Sequence, residues 1–547
     1  MSRLSRSLLA VATIIMVAIL SFAIAPGAAR AADTGAITVD GTVATRYDAY
    51  QLFSATVVDD DDAGQKIATD VTWANGVVRQ AVLPVLHDAG LDSSASTAQE
   101  AAEWMNADGH MTTALTAKLA RAICNADATS VALNAGTAAE LPCGYWLIVA
   151  DDDAIAQGEA GTAPIMALVG GSAVTVKPKA ATPKVSKHVL EDSTAAWQKA
   201  ADATVADDLY WRLSATVPAG LAAYDTYTVQ FVDAMGVGLD PSKVAASMRV
   251  YVAAGADGGF DAVACEGGNA SSTPAKGWTD ITSHCRVSIE GNAFTVRTGD
   301  LIAALGGADA FAAGARVVAV YDAPLGANCN RGATKGNPNE VYLRYPRSPL
   351  ADQSGDTGFT RTPSDDACAY TWELSLIKRS SVGDKPLAGA KLRIVDDRGR
   401  ILTADGMWST NADACVTTGE DGHVELSGID AGVYTVEEVE APKGYIAFEG
   451  KRTATVTAEG LDVKQVAAVK PKVTVSAESP LRVDTADAGT GSIELSVLNT
   501  PSKEASRGFM PSTGDRTLVL VMGLAAIGVA AIVVALVIKR GGGRREK

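Results

Sequence analysis

Two stretches of this 547-residue chain carry side chains whose types and spacing point to covalent chemistry. The first is Tyr434-Thr435-Val436-Glu437-Glu438-Val439-Glu440-Ala441-Pro442-Lys443-Gly444-Tyr445. The period-two alternation of a strand puts Tyr434, Val436 and Glu438 on one face and Glu437 on the other. A carboxyl turned inward among apolar neighbours is pushed toward its protonated form, and a lysine sharing its pocket toward the neutral, nucleophilic amine. If an asparagine is presented to such a pair, the acid can hydrogen-bond its carbonyl while the amine attacks. Loss of ammonia then leaves an isopeptide bond. The second stretch is Met510-Pro511-Ser512-Thr513-Gly514, followed by the apolar run Thr517 to Ile538 and a basic tail that opens with Lys539-Arg540. As a helix, 517–538 is long enough to cross a hydrocarbon core of roughly 30 Å. The tail, 539–547, belongs on the cytoplasmic side, which puts the pentapeptide just outside the membrane.

Those groups need an exported scaffold. Ser2, Arg3 and Arg6 precede the apolar run Leu8 to Ile24 and Ala29-Arg30-Ala31, which reads as a secretory signal over 1–31. A net charge of −16 argues against nucleic acid or anionic lipid as a partner, because polyanions would be repelled. Seven cysteines in an exported chain permit disulfides. Local pairing would join Cys124 with Cys143 and Cys265 with Cys285, leaving Cys329, Cys368 and Cys415, one of which stays free or pairs elsewhere. No Cys-x-x-Cys pair, histidine cluster, phosphate-cradling glycine loop or Ser-His-Asp arrangement stands out, so neither metal nor cofactor is expected. The run Asp59 to Asp62 lacks the alternating ligand spacing of a calcium loop and reads as a solvated turn.

Short alternating apolar runs bounded by Gly, Asp, Asn and Pro dominate the exported region, as in Tyr227 to Val232 and Tyr342 to Tyr345. They predict an all-β chain of tandem immunoglobulin-like β-sandwich domains, with a signal peptide and a C-terminal transmembrane helix. Helical character is expected over Gln99 to Ile123 and briefly near Leu301 to Leu305. Proline-punctuated connectors at 178–183 and 346–368 divide the chain into domains over 32–177, 184–345 and 369–499, followed by a polar stalk at 500–516.

These features together resemble the backbone pilins of sortase-assembled pili on Gram-positive bacteria. Met510 to Gly514 resembles the Leu-Pro-x-Thr-Gly sorting signal, Met510 keeping the flexible apolar character of leucine. The resemblance implies that sortase attacks the Thr513 carbonyl and releases the Gly514 amine. Tyr434 to Tyr445 resembles the E-box of collagen-adhesin B-type domains, which makes Glu438 the promoting acid. Trp372-Glu373-Leu374-Ser375-Leu376-Ile377-Lys378 resembles that family's first strand and Ile493 to Pro501 its last, nominating Lys378 as amine and Asn499 as carboxamide.

The middle domain is similar to the isopeptide-forming second pilin domain. Pro183 to Val189 nominates Lys187, Phe231 to Leu239 nominates Asp233, and Gly336 to Leu343 nominates Asn339 with Asn337 in reserve. Tyr47 to Phe53 and Leu141 to Trp146 resemble pieces of the N-terminal pilin domain, whose opening strand here has no lysine, so no bond is expected there. Val174-Thr175-Val176-Lys177-Pro178-Lys179 resembles the pilin motif Val-x-Val-Tyr-Pro-Lys, which makes Lys179 the acceptor amine for another subunit's Thr513.

The implied function is structural, without enzymatic turnover. The implied partners are sortase, further copies of the chain and a peptidoglycan precursor, with room for host-surface ligands. The rival reading is a wall-anchored adhesin or ancillary pilin that displays the same domains without polymerising.

Overall fold

The computed structural model describes residues 33–502, apart from 42, 61–64, 108, 179–181, 256–264, 267–268, 271–276 and 488–489. The signal segment, Lys179, the stalk beyond Ser502, the pentapeptide Met510 to Gly514 and the 517–538 segment therefore lie outside the described residues. Among the described residues, no helix is long and apolar enough to cross a membrane.

The all-β expectation holds, as a series of paired sheets. In the first domain the long strand Arg46–Asp60 pairs antiparallel with Gly144–Ala150 on one side and Gln65–Trp73 on the other. A smaller sheet sets Thr34–Val39 between Ala139–Pro142 and Val174–Val176, so the first half of the Val174 to Lys179 motif is itself a strand. Three helices cover the larger sheet: Gly76–Asp88, Ala98–Asn106 and Thr113–Asn125. The helical character expected over 99–123 is present as two helices, separated by a turn in which Gly109 takes φ +83° and restarted by Thr112 capping the Leu115 amide. The first helix was not expected; it carries Pro84 inside it and buries Val78, Val82 and Leu86. Fully burying such side chains stabilises by about 1.5–3 kcal/mol each, which offsets the hydrogen bond that a proline removes.

The middle domain is a sandwich of two sheets. One runs Ala196–Gln198, Val185–Glu191, Tyr210–Val217, Ala315–Asp322, Arg249–Ala254, Thr279–Asp280. The other runs Ala200–Asp202, Asp365–Tyr370, Asn337–Pro346, Gln230–Met235, Ala293–Arg297, Arg286–Glu290. Trp211, Leu213, Phe231, Phe294 and Tyr321 interdigitate between them. The stretch 346–368 is more than the connector expected from its prolines. Phe359–Arg361 pairs with Arg344 to Pro346, and Asp365–Tyr370 pairs with Asn337 to Val341, extending the middle domain to Tyr370.

Only Thr371 then intervenes before Trp372–Ser380, the first strand of the last domain. Thr371 is fully buried, and its hydroxyl donates to the Ile429 carbonyl at 3.0 Å. Beside it the Trp372 indole N–H donates to Asp202 of the middle domain at 2.6 Å. In the last domain, Trp372–Ser380 lies between His423–Ile429 and Ser492–Pro501. The facing sheet runs Trp408–Ser409, Ile401–Leu402, Lys391–Val395, Gly432–Glu440, Lys451–Glu459, Lys472–Ala477.

Candidate functional site: two buried clusters of amine, carboxyl and carboxamide

In the last domain the first and final strands are parallel neighbours, with Lys378 opposite Val497 and Ser380 opposite Asn499. An offset of two residues keeps Lys378 and Asn499 on one face, within reach of a long side chain. Burial alternates strictly along Trp372–Ser380, and Lys378 occupies an inward position that apolar residues fill at Leu374 and Leu376. Glu438 comes from the facing sheet, and it points inward with Tyr434 and Val436 as the alternation predicted. The Lys378 ammonium donates to Asn499 Oδ1, the Asn499 Nδ2 donates to Glu438 Oε1 at 2.7 Å, and Lys378 Nζ lies 3.1 Å from the same Oε1. The Phe448 amide donates to Glu438 Oε2 at 2.9 Å, and the Phe448 ring centroid lies 5.3 Å from Nζ. Burial pushes the Lys378 amine down to about 8 against the pull of Glu438.

One detail differs from the sequence expectation. The acid was expected on the asparagine carbonyl, whereas Glu438 Oε1 bridges the amine and the amide nitrogen. A carboxyl in that position can take a proton from the attacking nitrogen and deliver it to the departing one.

The middle domain gathers the same three side-chain types from different strands. Lys187 projects from Val185–Glu191 in one sheet. Asp233 and Asn339 project from adjacent antiparallel strands of the other, where Asp233 faces Val341 and Met235 faces Asn339. All three side chains are fully buried. Lys187 Nζ contacts Asp233 Oδ2, and its amine is lowered to about 8 by burial, with Asp233 opposing the shift. Burial in turn raises the Asp233 carboxyl despite the neighbouring ammonium. A fourth group, unforeseen from the sequence, sits at the centre. The Tyr321 hydroxyl accepts from Lys187 Nζ at 2.9 Å and from Asn339 Nδ2 at 2.8 Å, and donates to Asp233 Oδ2 at 3.0 Å. Asp233 Oδ1 and Asn339 Oδ1 are both buried without a hydrogen-bond partner. A proton held by Asp233 on Oδ1 would convert one of these two acceptors into a donor.

Two further residues hold the lysine's backbone. The Lys187 amide donates to Asp365 at 2.7 Å, and Lys199 Nζ donates to the Lys187 carbonyl at 2.8 Å while pairing with Asp365. Asn337, the reserve carboxamide, is engaged elsewhere. It accepts from the Asn330 amide at 2.8 Å and donates to the carbonyls of Asn330 and Ala369 at 2.9 and 3.2 Å.

The expected disulfide between Cys124 and Cys143 is not formed. Cys124 Sγ lies 3.7 Å from the Tyr50 hydroxyl, and Tyr50 pairs with Leu147, whereas Gly144, next to Cys143, pairs with Ser54. Burial raises both thiols. Cys285 is likewise a free thiol, its Sγ donating to the Ile281 carbonyl at 3.3 Å, and the side chain of Cys265 lies outside those described. Among the described residues, no group of three or more His, Cys, Asp or Glu converges as metal ligands.

Residues 373–470, within the last sandwich, match SpaA, a prealbumin-like fold domain. The trypsin-resistant surface T6 protein of Streptococcus pyogenes serotype M6 is 28% identical over 119 residues, a match covering 20% of this chain and 20% of that relative. The structure of the T6 backbone pilin of S. pyogenes superposes with a TM-score of 0.46 at 15% identity, covering 86% of this chain and 99% of that one. The full-length major pilin SpaD of Corynebacterium diphtheriae gives 0.41 at 14% identity, covering 86% and 98%. The domain match and the T6 relative bear out the resemblance to Gram-positive backbone pilins read from the sequence.

Proposed function

We propose that this chain is the backbone subunit of a pilus anchored to a Gram-positive cell wall. In this reading sortase joins Thr513 of one copy to Lys179 of the next, and each of the last two domains closes its own lysine–asparagine isopeptide bond. The observation that carries the reading is the buried Lys378–Asn499–Glu438 cluster, which couples the first strand of the last domain to its final strand. An amine lowered to about 8 is neutral in roughly a fifth of molecules at pH ~7.4, against about one in a thousand for an ordinary lysine, and attack of that neutral Nζ on the Asn499 Cγ expels Nδ2 as ammonia. Each event happens once per domain and leaves the product in place, so the chain is a structural protein whose reactive groups are consumed in maturation.

Pulling force along the chain would then pass through covalent links instead of strand ladders. Intact mass of the exported chain should be lower than its sequence mass by about 17 Da per bond, one ammonia each. In a piliated host, Lys179→Ala should collapse the high-molecular-weight ladder on denaturing gels to monomer. An unchanged ladder would remove Lys179 as the acceptor, and an unshifted mass would remove the isopeptides.

A further inference from the structure

We propose that Tyr321 is a catalytic residue of the middle domain, relaying the proton that passes from the attacking Lys187 Nζ to the departing Asn339 Nδ2. This rests on the isopeptide reading of Lys187 and Asn339 and adds a residue to it. The two clusters supply the argument. Condensation of an amine with a carboxamide forms the Nζ–Cγ bond, breaks the Cγ–Nδ2 bond and moves one proton from Nζ to Nδ2, so that ammonia leaves. A single group touching both nitrogens can make that transfer. In the last domain the group is Glu438 Oε1, 3.1 Å from Nζ and 2.7 Å from Nδ2. In the middle domain the described contacts of Asp233 include Nζ and the Tyr321 hydroxyl, and the atom on both nitrogens is that hydroxyl, 2.9 Å from Nζ and 2.8 Å from Nδ2.

Once Nζ has added to Cγ, Nδ2 is pyramidal and carries a lone pair. The Tyr321 O–H then swings from Asp233 Oδ2 to Nδ2 and gives up its proton as the oxygen takes one from Nζ. The hydroxyl ends as it began, and no outside reactant is needed. Asp233 keeps the role of acid beside the carboxamide, its Oδ1 and Asn339 Oδ1 being the two oxygens still without partners.

The test is a time course of Lys187–Asn339 crosslink formation in full-length Tyr321→Phe, read by peptide mass after synthesis, with the Lys378–Asn499 crosslink of the same molecules as internal reference. Phenylalanine keeps the ring and its edge-on contact with Phe294, 4.8 Å between centroids. Loss of a positioned acid–base group should slow the middle-domain bond by about 100-fold or more and leave the last-domain bond unchanged. Phe294→Leu, which loosens the same ring but keeps the hydroxyl, should form the middle bond within a few-fold of the parent rate. A parent-like rate in Tyr321→Phe overturns the relay, as does equal slowing by both substitutions, which would mean that the ring only shapes the pocket. Absence of the Lys187–Asn339 crosslink in the parent chain would instead bring down the isopeptide reading itself, and the relay with it.

Discussion

The last and middle domains assemble one set of side chains on two different frameworks. In the last domain the lysine and asparagine stand on neighbouring parallel strands of a single sheet, and the glutamate reaches them from the opposite sheet. In the middle domain the lysine stands on one sheet, and the aspartate and asparagine stand on adjacent antiparallel strands of the other. A bond at the first site would staple strand to strand, and a bond at the second would staple sheet to sheet. What the sites share is a dry pocket that lowers an amine to about 8, a carboxyl in contact with it, and one group touching both nitrogens. The proposed chemistry therefore depends on convergence and desolvation, which more than one topology supplies.

The sharpest way to break this comparison is to remove one acid at a time. Glu438→Ala and Asp233→Ala should each abolish the crosslink of their own domain and spare the other, as read by peptide mass. Loss of the tie between residues 121 positions apart should lower stability by about 4–5 kcal/mol if it acts as a loop closure does, measurable by denaturant unfolding. Loss of both bonds from either single substitution would show that the pockets are not independent.

A smaller effect concerns pH. In Asn499→Ala, which keeps Lys378 as a free amine, the folded lysine loses its proton near 8 and the unfolded one near 10.5. Between those values the unfolded chain binds the extra proton, so stability should rise with pH across that window, by about 2–3 kcal/mol. The crosslinked parent, its nitrogen acylated, should show no such rise from this group. A flat profile in the variant would mean that burial does not depress the amine.

The smallest expected effect separates the two candidate asparagines. Asn337→Ala should leave the middle-domain bond intact and cost about 1–3 kcal/mol through its lost hydrogen bonds, whereas Asn339→Ala should lose the bond. Mass and thermal unfolding of the pair decide it.

What the sequence could reveal followed from periodicity. Alternation aimed Glu438 inward, and the same logic holds for Lys378 on its strand. Alternation could not rank Asn337 against Asn339, because both lie on the inward face of one strand. Only the register with Gln230–Met235, which sets Asn339 opposite Met235 near the end of that strand, separates them. Tyr321 was illegible for a related reason. Ala315–Asp322 is buried at nearly every position, so no polar–apolar rhythm marks the residue that lines the site. Asp365 acts on the backbone of Lys187 from 178 residues away, and Lys199 from 12 residues away on the far side of a strand pairing, so neither leaves a trace in the strand's own alternation. Closeness in sequence suggested the Cys124–Cys143 pair, yet both are free thiols.

The lone-residue joint at Thr371 has a consequence for how the molecule twists. Asp365–Tyr370 and Trp372–Ser380 are nearly one continuous ribbon, so the rotational phase of the last sandwich is inherited from the middle one. With the threonine side chain locked to Ile429 and the neighbouring indole latched onto Asp202, there is no slack in which a swivel could develop. Torsion applied at one end of this pair is thus handed on as in a shaft with keyed couplings, and the azimuth at which the chain leaves the last sandwich is fixed by the residues that enter the middle one.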